Sequence, residues 1–296
     1  MENGPVRSVK GTGTMKKTAH TTTISVLYIF AAVIVLFCLS PMLWPNSDAL
    51  SRSKPLQLKT LATYPHDKNA FTQGLTFENG FLYESIGGYG ASSLRKVEPN
   101  TGKVLRQVTV PRQYFAEGIE RIGDSIFQLT WREGYCFVYD KETFELKGHF
   151  RYNGEGWGLT FDGEHFVLSD GSSWLRFLDT KNFKQKRKIQ VTDRNAKTKK
   201  SVPIKNLNEL EFVRGEIWAN IWQSTNIVRI DPRSGEVIGW IDCSVFVPDE
   251  FKKELTGSTM MQDNVLNGIA FDPATNRVYL TGKKWPVLYE VQIVEP

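Results

Sequence analysis

Five segments of the chain each put one reactive or aromatic side chain at the head of a short apolar run: Gln73-Gly74, Glu117-Gly118, Trp157-Gly158, Glu209-Leu210 and Asn267-Gly268. A second series follows in the runs LYESIG, IFQLTW, FVLSDG, IWANIW and VYLTGK, whose matching last positions are Gly87, Trp131, Gly171, Trp222 and Lys283. The two series bring together carboxylates, an amine, side-chain amides and three indoles. A carboxylate such as Glu117 among indoles is poorly solvated when charged, so its pKa rises toward the range useful for proton transfer. Lys283 can donate to a polarised carbonyl, Gln73 can orient an amide, and Trp131, Trp157 and Trp222 can wall an apolar pocket. Each residue also has a plainer role open to it: a backbone cap for Glu117, a surface charge for Lys283, a satisfied backbone group for Gln73. The three rings are harder to explain away, because side chains at equivalent positions of one rim cannot all be core. Trp174, Trp218, Trp240 and Trp285 read as packing.

Chemistry of this kind needs elements that carry equivalent positions to one place. Each segment opens with a Gly-apolar-x-aromatic step, turns on Gly, Asn or Asp, continues as an alternating apolar strand, and closes with two more short strands. Self-similarity at a period of roughly 40 to 50 residues, with four strands per unit and no helical periodicity, is the pattern of a β-propeller. Five units predict an all-β, five-bladed propeller over residues 56–296. The fifth unit has too little chain left for four strands, so residues 56–64 are expected to supply its outer strand and close the ring. Because the first strand of every blade lines the axis, the five openings gather at one mouth of the central channel, and the far end of each second strand returns there.

The amino-terminal part is of another kind. Residues 1–23 form a polar, basic tail, with Arg7, Lys10, Lys16 and Lys17 against the single acid Glu2, and residues 24–44 are apolar apart from Ser25 and Ser40. About 20 such residues suffice to cross a bilayer, whereas the apolar core of a cleaved signal runs to about 7 to 15. A single transmembrane helix is therefore predicted, with the basic tail cytosolic, a linker at 45–55, and the rest of the chain luminal. The expected setting is a secretory-pathway membrane, endoplasmic reticulum or Golgi, in single-pass type II orientation. The net charge of +5 is modest and asks for no nucleic-acid partner. Cys136 and Cys243 fall on the oxidising side and are equally able to pair or to stay buried and free. The densest basic run, at 184–200, reads as a solvated loop, and the insertion at 245–264 has room for a short helix.

Other chemistries have little support. His66, His149 and His165 lack metal-ligand spacing, and there is neither a Gly-x-Ser-x-Gly elbow nor a phosphate-binding loop. A structural cation in the channel, held by carbonyls and carboxylates without any motif, stays open. So does a second class of function, a non-catalytic propeller that binds peptides or partner proteins on the same mouth.

The runs HDKNAFTQGLTFENGFLYESIGGYGASSLRKV, YFAEGIERIGDSIFQLTWREG, GEGWGLTFDG, NLNELEFVRGEIWANIWQ and NGIAFDPATNRVYLTGKKWP resemble the plant-type (type I) glutaminyl cyclases, over about residues 56 to 294. The resemblance implies a five-bladed propeller that converts the amino-terminal glutamine of peptides and proteins to pyroglutamate with release of ammonia. It implies catalytic roles for Glu117, Lys283 and Gln73 and substrate-binding roles for Trp131, Trp157, Trp222, Asn208 and Phe71. Phe71 and Asn208 come from the resemblance; the others already stood in the repeat register. Glu117 is then expected as general acid and base, with no cofactor required and the domain a monomer.

Overall fold

The computed structural model describes residues 56–194, 198, 200–255 and 264–294 of the 296-residue chain. The tail, membrane-span and linker expectations at 1–23, 24–44 and 45–55 lie outside the described residues. Among the described residues no helix is long and apolar enough to cross a membrane.

Five four-stranded antiparallel sheets stand around a common axis, and a two-stranded hairpin, Thr192–Arg194 with Ser201–Pro203, occupies the insertion before the fourth blade. The innermost strands are Thr72–Glu78, Ala116–Ile122, Leu159–Phe161, Leu207–Val213 and Leu266–Asp272. Their partners, Phe81–Ile86, Ser125–Thr130, His165–Leu168, Glu216–Ile221 and Arg277–Gly282, run back antiparallel. In the first blade the reversal is made by Asn79 and Gly80 at φ 50° and 86°, the paired left-handed conformation that suits a two-residue hairpin turn.

Burial explains the residue pattern from axis to rim. Inner strands are covered on both faces by neighbouring blades, so Phe81–Ile86 is buried at nearly every position. Outer strands such as Lys103–Thr109 are almost wholly exposed and carry Lys103, Arg106 and Gln107. Five apolar clusters fill the five inter-blade seams. Tyr83 and Leu94 meet Ile119 and Phe137 between the first two blades, and Trp218 and Ile227 meet Ile269 and Trp285 between the last two. Trp218 and Trp285 are thus packing residues, as the sequence suggests.

Gln57–Pro65 pairs antiparallel with Val287–Val294, Leu58 opposite Ile293, and completes the fifth blade from the amino-terminal side. This removes two free edges at once and ties both ends of the domain together. Cys136 lies in the seam between the second and third blades and Cys243 in that between the fourth and fifth, both buried and free. A helix, Asp249–Leu255, forms within the insertion after the fourth blade.

Candidate active site

Four of the inner strands carry a register shift at their first residues, between Thr72 and Gly74, Ala116 and Ile119, Leu207 and Leu210, and Leu266 and Ile269. A bulge of this kind re-aims a side chain and commonly sits beside an active site. The first residue released in each is Gln73, Glu117, Asn208 and Asn267. In the third blade Trp157 stands at the same level, its N–H on Ser169 O and its carbonyl taking the N–H of Gly118.

This register corrects the sequence reading at the fourth blade. Asn208, not Glu209, is the counterpart of Glu117. Glu209 replaces the glycine found at 74, 118, 158 and 268, and it turns into the channel. There its two oxygens accept the backbone N–H groups of Leu75 at 3.3 Å and Ile269 at 3.0 Å, joining three blades at the axis. Burial holds its carboxyl well above the usual carboxylate range, the two backbone bonds notwithstanding. Asn267 also differs from expectation: it is fully buried beneath the mouth and donates to Thr72 O at 2.9 Å and to Gln73 Oε1 at 3.4 Å.

The expected site residues do come together. A cavity of about 440 Å³ opens at the mouth, lined by Phe71, Gln73, Glu117, Trp131, Trp157, Asn208, Trp222 and Lys283, and in addition by Phe115, Arg132 and Glu155. The last three escaped the sequence reading. Phe115 and Glu155 stand two residues before Glu117 and Trp157, as Phe71 stands two before Gln73, so the same register extended backwards locates them.

The walls are aromatic and set at steep angles. Trp157 and Trp222 meet edge to face with centroids 5.7 Å apart, and Phe115 lies between Phe71 at 6.2 Å and Trp131 at 5.6 Å. Gly171 gives Trp157 its place: at φ 76° it turns away, and a Cβ there would lie 2.6 Å from the indole. Lys283 follows the strand Arg277–Gly282, is buried, and its Nζ lies 4.8 Å from the centroid of Phe71, a cation–π contact. Asn208 is held through its carbonyl, which accepts the hydroxyl of Ser169 at 2.6 Å.

Of the two carboxylates lining the cavity, Glu117 is the buried one, 5% exposed. Burial pushes its pKa well above the ordinary range; the positive charge of Lys283 opposes this, and the negative charges of Glu155 and Glu133 add to it. Gln73 Nε2 donates to its Oε1 at 3.2 Å. A carboxyl raised in this way is of the kind suited to proton transfer. Among the described residues no three His, Cys, Asp or Glu side chains are grouped so as to hold a metal ion.

The glutamine cyclotransferase family model matches residues 32–293. The chain is 36% identical over 272 residues to a glutaminyl-peptide cyclotransferase of Arabidopsis thaliana, covering 90% of this chain and 82% of that protein. It is similar to the crystal structure of Myxococcus xanthus glutaminyl cyclase at a TM-score of 0.71 and 36% identity, covering 81% of this chain and 98% of that one. The chain belongs to the glutamine cyclotransferase family.

Proposed function

We propose that the chain cyclises the amino-terminal glutamine of peptides and proteins to pyroglutamate, releasing ammonia, with the reaction taking place in the indole-walled cavity. The observation that carries this reading is Glu117, a buried carboxyl that feels the charge of Lys283 and lines the same aromatic-walled cavity. The new bond joins the α-amine nitrogen to the γ-carboxamide carbon, and the bond to the amide nitrogen breaks. The enzyme must therefore fold the side chain back on itself and manage the protons.

Trp131, Trp157 and Trp222, with Phe71, hold the aliphatic part in a ring-like conformer, which brings amine and carbonyl together and converts positional entropy into rate. Glu117 takes a proton from the attacking amine and returns one to the departing ammonia. Lys283 donates to the oxygen that becomes negative as the carbonyl carbon turns tetrahedral. Gln73, through its hydrogen bond, aims the carboxyl of Glu117, and Asn208 binds the substrate backbone. No redox step or activated carrier is involved, so the chemistry calls for no cofactor; retention of turnover after exhaustive chelation tests this, and a loss restored by one cation would contradict it.

A peptide beginning with glutamine, incubated with the protein, loses one ammonia by mass; a peptide that is bound but recovered unchanged would leave a binding propeller instead. We also place the domain on the luminal side of a secretory-pathway membrane, anchored by residues 24–44. The support is the length of that apolar run and the basic residues before it. Recovery of full-length chain in the soluble lumenal fraction would overturn the anchor.

A further inference from the structure

The cavity contains a second acid, Glu155, whose oxygens are already engaged. Oε2 accepts the indole N–H of Trp131 at 2.8 Å and that of Trp157 at 2.9 Å, and Oε1 accepts Arg132 Nε at 3.0 Å. The Arg132 guanidinium in turn lies 3.7 Å from the ring centroid of Trp131. Trp131 belongs to the second blade and Trp157 opens the third, so one carboxylate links the indole walls of two neighbouring blades. An indole N–H can only donate. Two of them converging on one point require a shared acceptor, and a carboxylate oxygen supplies it while its twin pairs with a cation.

Glu155 is itself held in place. Its carbonyl accepts Arg176 Nη2 at 3.0 Å, Asn153 O accepts Arg176 Nη1 at 2.7 Å, and the next N–H, of Gly156, donates to Trp131 O at 2.9 Å. Partial burial favours the neutral acid, but the bonds from Trp157, Trp131 and Arg132 outweigh it and hold the carboxyl below its usual range. At neutral pH this is a fixed negative charge at the edge of the cavity. The groups that act on Glu117 are then Lys283 from the fifth blade, Gln73 from the first, Glu133 from a loop of the second and Glu155 from the connection into the third; Tyr89 and Tyr152 feel its charge in turn.

We infer that Glu155 is a positioning residue for ring closure: it pins the indoles of Trp131 and Trp157 at the separation that keeps the glutamine side chain folded, and it sets a constant negative charge near Glu117. The inference rests on the activity proposed above and adds a residue that touches no reacting atom. A misplacement of about 1 Å in such a wall costs up to about 100-fold in rate. A nearby charge removed from a partly screened site shifts a titration by about half a unit.

The test uses the full chain as wild type, Glu155→Ala and Glu155→Gln, with kcat and KM for a glutamine-initiated peptide followed across pH and tryptophan emission recorded without substrate. Glu155→Ala is expected to lower kcat/KM by about 10- to 100-fold and to change the emission, since two indoles lose their acceptor. Glu155→Gln keeps an acceptor oxygen, so it recovers much of that loss and keeps the wild-type emission. It also moves the acidic limb of the pH profile down by about half a unit, because the charge that raised Glu117 is gone. A Glu155→Ala protein within about twofold of wild type with unchanged emission overturns the clamp. An acidic limb that stays in place in Glu155→Gln overturns the electrostatic part. Should Glu155→Ala not fold, Glu155→Gln decides alone, through emission and pH profile. Should the wild type itself not turn over the peptide, the proposed activity falls, while the emission of the variants still decides the clamp.

Discussion

Gln73 Nε2 donates a 3.2 Å hydrogen bond to Glu117 Oε1, and the two residues occupy the same bulged position of adjacent blades. Asn267, at that position of the fifth blade, points its amide N–H at Gln73 Oε1 from the other side at 3.4 Å. The amide of Gln73 therefore has one orientation, N–H toward the acid, and its first task is to aim Glu117 at the substrate.

Gln73→Leu removes that donor while keeping bulk. A hydrogen bond to a charged group contributes about 1.5 to 3 kcal/mol. Turnover of a glutamine-initiated peptide is expected to fall by about 10- to 100-fold with KM little changed, because the walls that bind the side chain are intact. Steady-state kinetics checks this, and a pure KM effect would assign Gln73 to binding.

Glu117 should also weaken the fold as pH rises. Below about pH 3 its carboxyl is protonated in both folded and unfolded chains and contributes nothing. Above that, the unfolded chain gives up a proton which the folded chain, with its raised pKa, retains. Stability is then lost with increasing pH until the folded carboxyl also ionises. Glu117→Gln removes this loss, so in calorimetry its Tm is expected to match wild type in acid and to exceed it at about pH 8.

Lys283→Met keeps an unbranched side chain of similar reach and deletes the charge that stands over Phe71. If Lys283 stabilises the oxyanion, kcat falls by about 100- to 1000-fold. The same change removes the charge that opposes burial at Glu117, so the acidic limb of any residual activity moves to higher pH. Measuring kcat against pH in the variant reads both effects.

Glu209 is structural on this account. Glu209→Met leaves the N–H groups of Leu75 and Ile269 buried without an acceptor. At about 1 to 3 kcal/mol for each orphaned group, less what is regained by no longer burying a carboxyl, the net loss is about 2 kcal/mol. Thermal unfolding should shift down by about 5 °C, with kcat near wild type below the transition.

Much of this was legible in the chain because propeller blades repeat both their turns and their second strands. The runs ending at Trp131, Trp222 and Lys283 share an apolar spacing that the seams impose, so their common rim position could be read directly. The closing strand could be inferred from the shortage of residues after Asn267. The fourth blade slipped by one because Glu209 replaces the glycine that marks the step in the others, and an acid that caps backbone groups across the axis looks in sequence like an acid at the mouth. Glu155 was missed for a different reason. It precedes its strand, and its partners are indoles from two blades, a relationship that exists only once those blades are side by side.

The most direct measurement compares wild type and Glu117→Gln on one glutamine-initiated peptide by mass, following release of ammonia over time. The expected result is steady loss of ammonia with the wild type and a rate lower by about 100-fold or more with the variant, since the amide keeps the shape of the site but cannot carry the proton. Equal rates in the two proteins would contradict the account.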